Sequence, residues 1–150
     1  SCEGGAALLP AGAAERAAIR LWNEHVDTQL AAAHFTLLMN KDASSEASKQ
    51  EALNKALRHY ESHLVGPYLC GEVFTLADAA ALPFFERLVF SMRHYKQNDA
   101  LADFPRTRAW LETAMSRESF RRTRRPEEKL VALYDRFLAE GYNFGGLNKN

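Results

Sequence analysis

The sequence predicts an all-α fold, a bundle of about five to six helices around a central, buried and kinked helix over residues 75–93. Three observations predict it. Apolar residues recur at steps of three and four almost throughout, and no stretch sustains the period-two alternation of a strand. The string TLAD (75–78) has the spacing of a helix capping box. The run AAALPFF that follows (79–85) carries no charge and contains a proline, the pattern of a helix apolar on all sides and bent at its middle.

The elements follow in order. Trp22, Val26, Leu30, Ala33 and Leu37 draw one apolar stripe down a first helix expected from about Ala13 to Asn40. The polar segment KDASSEAS (41–48) ends it, and Ser44 or Ser45 is the expected cap of a second helix. That helix has the stripe Leu53, Leu57, Tyr60 and Leu64 and stops at Gly66-Pro67. Two long helices joined by a short loop pack antiparallel. In the third, Thr75 caps and Asp78 reaches back to it, and Phe74 is placed to staple the entry. Pro83 removes one backbone bond and crowds the carbonyl of Ala79, so a kink is expected there. A fourth helix is expected to start at Asp103 as N-cap, with Pro105 in its first turn and Trp110, Leu111, Ala114 and Met115 on its apolar face. A fifth begins near Pro126 with Glu127 and Glu128 at its positive end, has the stripe Leu130, Leu133, Tyr134 and Phe137, and ends at Gly141.

The chain has 150 residues, room for one domain that buries roughly 70% of its unfolded surface without a disulfide or metal. The domain is expected over 13–141, with a linker over 1–12 and a flexible Gly/Asn-rich tail over 142–150. Nineteen basic residues balance nineteen acidic ones, which argues against a general nucleic-acid or membrane-surface binder. Cys2 and Cys70 form neither a CxxC pair nor a disulfide framework, and suit a reducing, cytoplasmic setting. The chain begins with Ser1, and the sequence is read as a piece cut from a longer polypeptide.

The string GPYLCGEVFTLADAAALPFFERL (66–88) resembles the C-terminal helical domain of glutathione transferases. Gly66, Gly71, Thr75 and Asp78 stand where that family has its glycine turn, its small-residue loop and the cap of its buried central helix. LPFFERL (82–88) is similar to the omega-like, dehydroascorbate reductase and thiol-transferase branches, including the tandem-domain thiol-dependent reductases of kinetoplastids. FPRTRAWLETAMSRESFRRT (104–123) stands where the family has a proline-started helix with a tryptophan. The resemblance covers about Ala13 to Leu138. It implies the second-substrate-binding, subunit-contact domain of a thiol transferase or reductase that uses glutathione or trypanothione. In the family an N-terminal thioredoxin-like domain binds the thiol and supplies the nucleophile, which forms a mixed disulfide. No βαβ pattern is present here, so no catalytic residue carries over, and the chain alone is expected to bind no cofactor and to be inactive. The implied partners are that thioredoxin-like domain and a small electrophile or disulfide, with room for a homodimer; membrane and nucleic acid are not expected. A rival reading is a non-catalytic interaction module, of the kind found in translation elongation factor and aminoacyl-tRNA synthetase complexes.

Single residues are weighed the same way. Trp22, His25 and Val26 lie on the helix that walls the family's second-substrate cleft, and an aromatic beside a hydrogen-bonding group suits such a wall; Trp22 equally suits the core stripe. His59 and His63 are spaced to clasp a metal, but no third ligand is evident in sequence, and a solvated helix face and no metal are expected. Arg117, Arg121, Arg122, Arg124 and Arg125 read as a solvated connector with local salt bridges before a phosphate or RNA grip. Cys70 has no base next to it and reads as an inert thiol.

Overall fold

The computed structural model describes residues 8–140. They form α1 (Ala13–His25), a π-helical turn (Val26–Leu30), α2 (Ala31–Leu38), α3 (Ala43–His63), α4 (Leu76–Lys96), α5 (Pro105–Met115), α6 (Glu118–Thr123) and α7 (Glu127–Glu140). Among these residues the sole β feature is an isolated bridge between Tyr68 and Gly71. The all-α bundle stands, and α4 is its centre. From Thr75 to Met92 no residue is exposed. The rod α1–α2 packs on α3 and α4, and α5 packs on both α3 and α4. Gly141 and the tail expected over 142–150 lie outside the described residues.

The first helix is not the uninterrupted α-helix that its stripe predicts. The amide of Ala31 donates to the carbonyl of Val26, five residues back, and the π turn inserts an extra residue. The buried face therefore slides by one position. Trp22, Val26 and Leu30 are buried as expected, but beyond the turn Ala31, His34 and Leu38 join Leu37, while Ala33 is half-buried.

Two caps differ from expectation. α3 is capped by Asp42, whose Oδ1 accepts from the Ser44 N–H at 3.0 Å and the Ser44 hydroxyl at 2.7 Å, so the serine expected to cap is a donor to the residue that does. At the start of α5, Asp103 is not the cap. Phe104 holds that position without a side-chain bond, and Pro105 opens the helix as expected. The unpaired amides of its first turn are met from α3. Glu61 accepts from the Arg106 N–H at 3.0 Å, the Thr107 N–H at 2.9 Å and the Thr107 hydroxyl at 2.8 Å. Burial raises the Glu61 carboxyl, but the amides of Thr107 and Arg106 overcome this and hold it below the usual carboxylate range.

Two further differences lie toward the C-terminus. A short helix, α6, occupies part of the basic connector. On α7, Leu130 and Tyr134 are buried as the stripe requires, but Leu133 is 46% exposed. The reversal before α4 depends on glycine twice. Gly71 adopts φ +122°, and a Cβ on Gly66 would stand 2.8 Å from the Gly71 backbone. Leu8, in the stretch expected to be a linker, lends its carbonyl to the Leu76 N–H at 2.9 Å.

Candidate functional site

Asp78 is fully buried at the first turn of α4, where four donors converge on it. Oδ2 accepts from the Thr75 N–H at 2.8 Å and the Thr75 hydroxyl at 3.2 Å. Oδ1 accepts from the Leu69 N–H and the Trp110 indole Nε1–H, each at 2.8 Å. Thr75 Oγ1 in turn accepts from the Ala77 N–H at 3.3 Å, and both halves of the capping box are present. A carboxylate offers about four acceptor positions, and all are taken. One residue thus ties together the glycine loop, the start of α4 and the tryptophan of α5. It is a structural knot with nothing left for a ligand.

Between α2, α4 and α7 lies a cavity of about 330 Å³. α2 contributes His34 and Phe35, α4 contributes Phe84 and Arg87, and α7 contributes Leu133, Tyr134 and Phe137. The aromatic lining is continuous, with Phe35 and Phe137 centred 5.6 Å apart and Tyr134 and Phe137 5.9 Å apart. Two groups break the apolar surface. Arg87 brings a cation with no carboxylate in ion-pair reach among the described residues. His34, 3% exposed, places Nε2 2.6 Å from the Ser91 hydroxyl. Burial lowers the His34 pKa to about 4, so the ring is neutral at physiological pH. A second cavity between α4, α5 and α7 is smaller, about 120 Å³, and is edged by the ion pairs Arg124–Glu86 at 2.9 Å and Arg93–Glu127 at 3.1 Å.

The three residues expected to wall a cleft part company. Trp22 and Val26, 8% and 1% exposed, belong to the core. His25 is half-buried and fronts an open groove of about 580 Å³ between the α1–α2 rod and α3, rimmed by Lys49 and Lys55. The fold brings His25 to the histidine pair of α3. Its ring stacks on His59 with centroids 4.0 Å apart, His59 lies 4.4 Å from His63, and His25 Nδ1 is 3.2 Å from the Tyr60 hydroxyl. Burial, then the charges of His59 and His63, lower the His25 pKa to about 4. Stacked faces do not aim nitrogens at one point, and among the described residues no group of three or more His, Cys, Asp or Glu side chains is arranged to hold a metal.

Cys70 is half-buried, and desolvation pushes its thiol up despite a bond to Thr75. Arg121, Arg122, Arg124 and Arg125 are exposed, with Arg122 paired to Glu118 at 2.6 Å and Arg124 to Glu86. Arg117 lies over the Phe74 ring, 4.1 Å from its centre. No helix among the described residues is long and apolar enough to cross a membrane.

Sequence reasoning missed His34, Phe35, Phe84 and Arg87 as a group. His34 stands four residues after Leu30 and eight after Val26, so helical spacing could have marked it. A polar residue is not sought on an apolar stripe, and Ala33 was the reading that spacing favoured.

A family model described as the glutathione S-transferase C-terminal domain matches residues 6–118. Glutathione S-transferase DHAR2 of Arabidopsis thaliana is 32% identical over 110 residues, 71% of this chain and 51% of that protein. Probable glutathione S-transferase DHAR1, cytosolic, of Oryza sativa subsp. japonica is 30% identical over 109 residues, 71% of this chain and 50% of that protein. The solved structure of glutathione transferase Omega 3C from Trametes versicolor superposes with a TM-score of 0.79 at 26% identity, covering 92% of this chain and 59% of that one. The chain spans about half the length of the curated relatives it matches.

Proposed function

The chain belongs to the glutathione S-transferase C-terminal domain family, and on that premise we propose that it is the second-substrate-binding domain of a thiol transferase or reductase that uses glutathione. The observation that carries this reading is the aromatic cavity between α2, α4 and α7, with one cation and one neutral imidazole at its edge. Such a site takes a small apolar body and orients it by few polar contacts. It does not fit glutathione itself, whose two carboxylates and ammonium would meet aromatic rings and a single arginine. In this reading a thioredoxin-like domain joined to this one holds glutathione and supplies the nucleophilic thiol.

The part played by this chain is positional. The aromatic walls exclude water from the substrate and hold it by buried area, and Arg87 attracts any anionic group it carries. Trp22 and Val26 support the first helix from beneath, and His25 belongs to the neighbouring groove. A homodimer contact and a cytosolic setting are parts of the same proposal; the rice relative's name supports the setting.

The test is glutathione-dependent reduction of a small disulfide and of dehydroascorbate, measured with this chain alone and fused to the thioredoxin-like domain of a relative. The fusion is expected to turn over and this chain alone to be inactive. Turnover by the chain alone, or a fusion that binds glutathione and reduces neither substrate, would contradict the reading.

A further inference from the structure

The polar contacts of His34 decide what the cavity asks of a ligand. Nε2 lies 2.6 Å from the Ser91 hydroxyl, and that hydroxyl lies 3.3 Å from the carbonyl of Leu88. The serine has one proton, and the carbonyl can only accept. Both contacts are satisfied together in one arrangement: Nε2–H donates to Ser91, and Ser91 O–H donates to Leu88. Ser91 is itself fully buried, so no water competes for either position. In that arrangement the neutral ring carries its proton on Nε2 and leaves Nδ1 bare. Nδ1 has no hydrogen-bond partner among the described residues, and it is not one of their sealed, unpartnered polar atoms, which are Asn23 Oδ1 and Arg117 Nε. The ring borders the cavity between α2, α4 and α7, and Nδ1 is its one nitrogen not engaged by Ser91.

We propose that His34 is the specificity-determining residue of this cavity, presenting Nδ1 as a fixed hydrogen-bond acceptor. The site therefore selects a planar apolar molecule that carries an O–H or N–H donor for Nδ1 and an anionic group for Arg87. This rests on the cavity being the second-substrate site. An unsatisfied acceptor in an aromatic lining discriminates by the bond it lacks, since a ligand without a donor strips water from Nδ1 and returns nothing.

Two measurements on the 150-residue chain test it. Long-range proton–nitrogen NMR is expected to show His34 with protonated Nε2 and bare Nδ1, unchanged from neutral pH down to about pH 5. A proton on Nδ1, or a ring averaging between tautomers, would overturn the proposal. The second measurement compares 6-hydroxy-2-naphthoate with 2-naphthoate, by shifts of the Phe84 and Leu133 signals. The hydroxylated probe is expected to bind roughly five- to tenfold tighter, the worth of one net hydrogen bond. His34→Asn, whose Oδ1 stands near the Nδ1 position, keeps the preference; His34→Phe abolishes it while both probes still bind; Arg87→Gln weakens both alike. Equal binding to the native chain, or a preference that survives His34→Phe, would overturn the assignment of His34 and leave the cavity's role standing. If neither probe binds, the cavity reading falls and this proposal with it. Should His34→Phe fail to fold, the tautomer and the affinity ratio of the native chain decide the matter.

Discussion

Asp78 and His34 are both buried polar residues on apolar helix faces, and they have opposite fates. Asp78 receives four donors, from the loop before α4, from its own helix start and from α5. His34 engages one nitrogen with Ser91, has no partner for the other among the described residues, and lines a cavity. A buried polar group with every lone pair engaged holds a fold together. One with an unspent lone pair facing an aromatic hollow is available to a ligand. Burial alone does not distinguish the two; an account of each lone pair does.

The comparison breaks most sharply at Asp78. Asp78→Ala leaves the amides of Leu69 and Thr75 and the Trp110 indole without partners in a dry site, and is expected to cost roughly 3–5 kcal/mol in urea unfolding. A loss below about 1 kcal/mol would mean that the knot does not hold the fold. Next comes Glu61, a carboxylate that caps α5 from another helix but reaches solvent. Glu61→Ala is expected to cost about 1–2 kcal/mol, because water replaces part of what it gives. Its folded pKa is depressed, so its contribution is present above the ordinary carboxylate pKa and fades as pH falls through the lower folded value.

The histidines give a smaller, pH-dependent effect. His25 and His34 both fall from 6.5 to about 4 on folding, so between those values the unfolded chain binds protons that the native chain does not. Stability is therefore full above pH 6.5 and declines as pH drops toward 4. The carboxylates held below 4.5 contribute only in the lower part of that range, so unfolding followed between pH 6.5 and about 5.5 isolates the imidazoles. Replacing His25 by Asn is expected to flatten the slope; an unchanged slope would show that the stacked column titrates freely. The smallest effect belongs to the exposed Arg58–Glu51 pair, where Arg58→Ala should change stability by less than about 0.5 kcal/mol.

What the sequence made legible follows from distance along the chain. The capping box spans four residues, and its spacing alone revealed half of the Asp78 knot. Leu69 and Trp110 are nine and thirty-two positions away, and no periodicity announces them. The helix starting at Pro105 was visible, whereas its cap from Glu61, forty-five or forty-six residues earlier, was not. The π turn hid the cavity. It advances the buried face by one residue, so of the two positions that a step of three or four from Leu30 allows, Ala33 and His34, the buried one is His34. Trp22, His25 and Val26 stand on the right rod but before that turn, in the core and at a different groove.

One titration tests the contrast directly. With 6-hydroxy-2-naphthoate added to the nitrogen-labelled chain, the account predicts that the His34 Nδ1 resonance moves while the Trp110 indole signal stays fixed and slow to exchange. A shift at the Trp110 indole with His34 unmoved would contradict it.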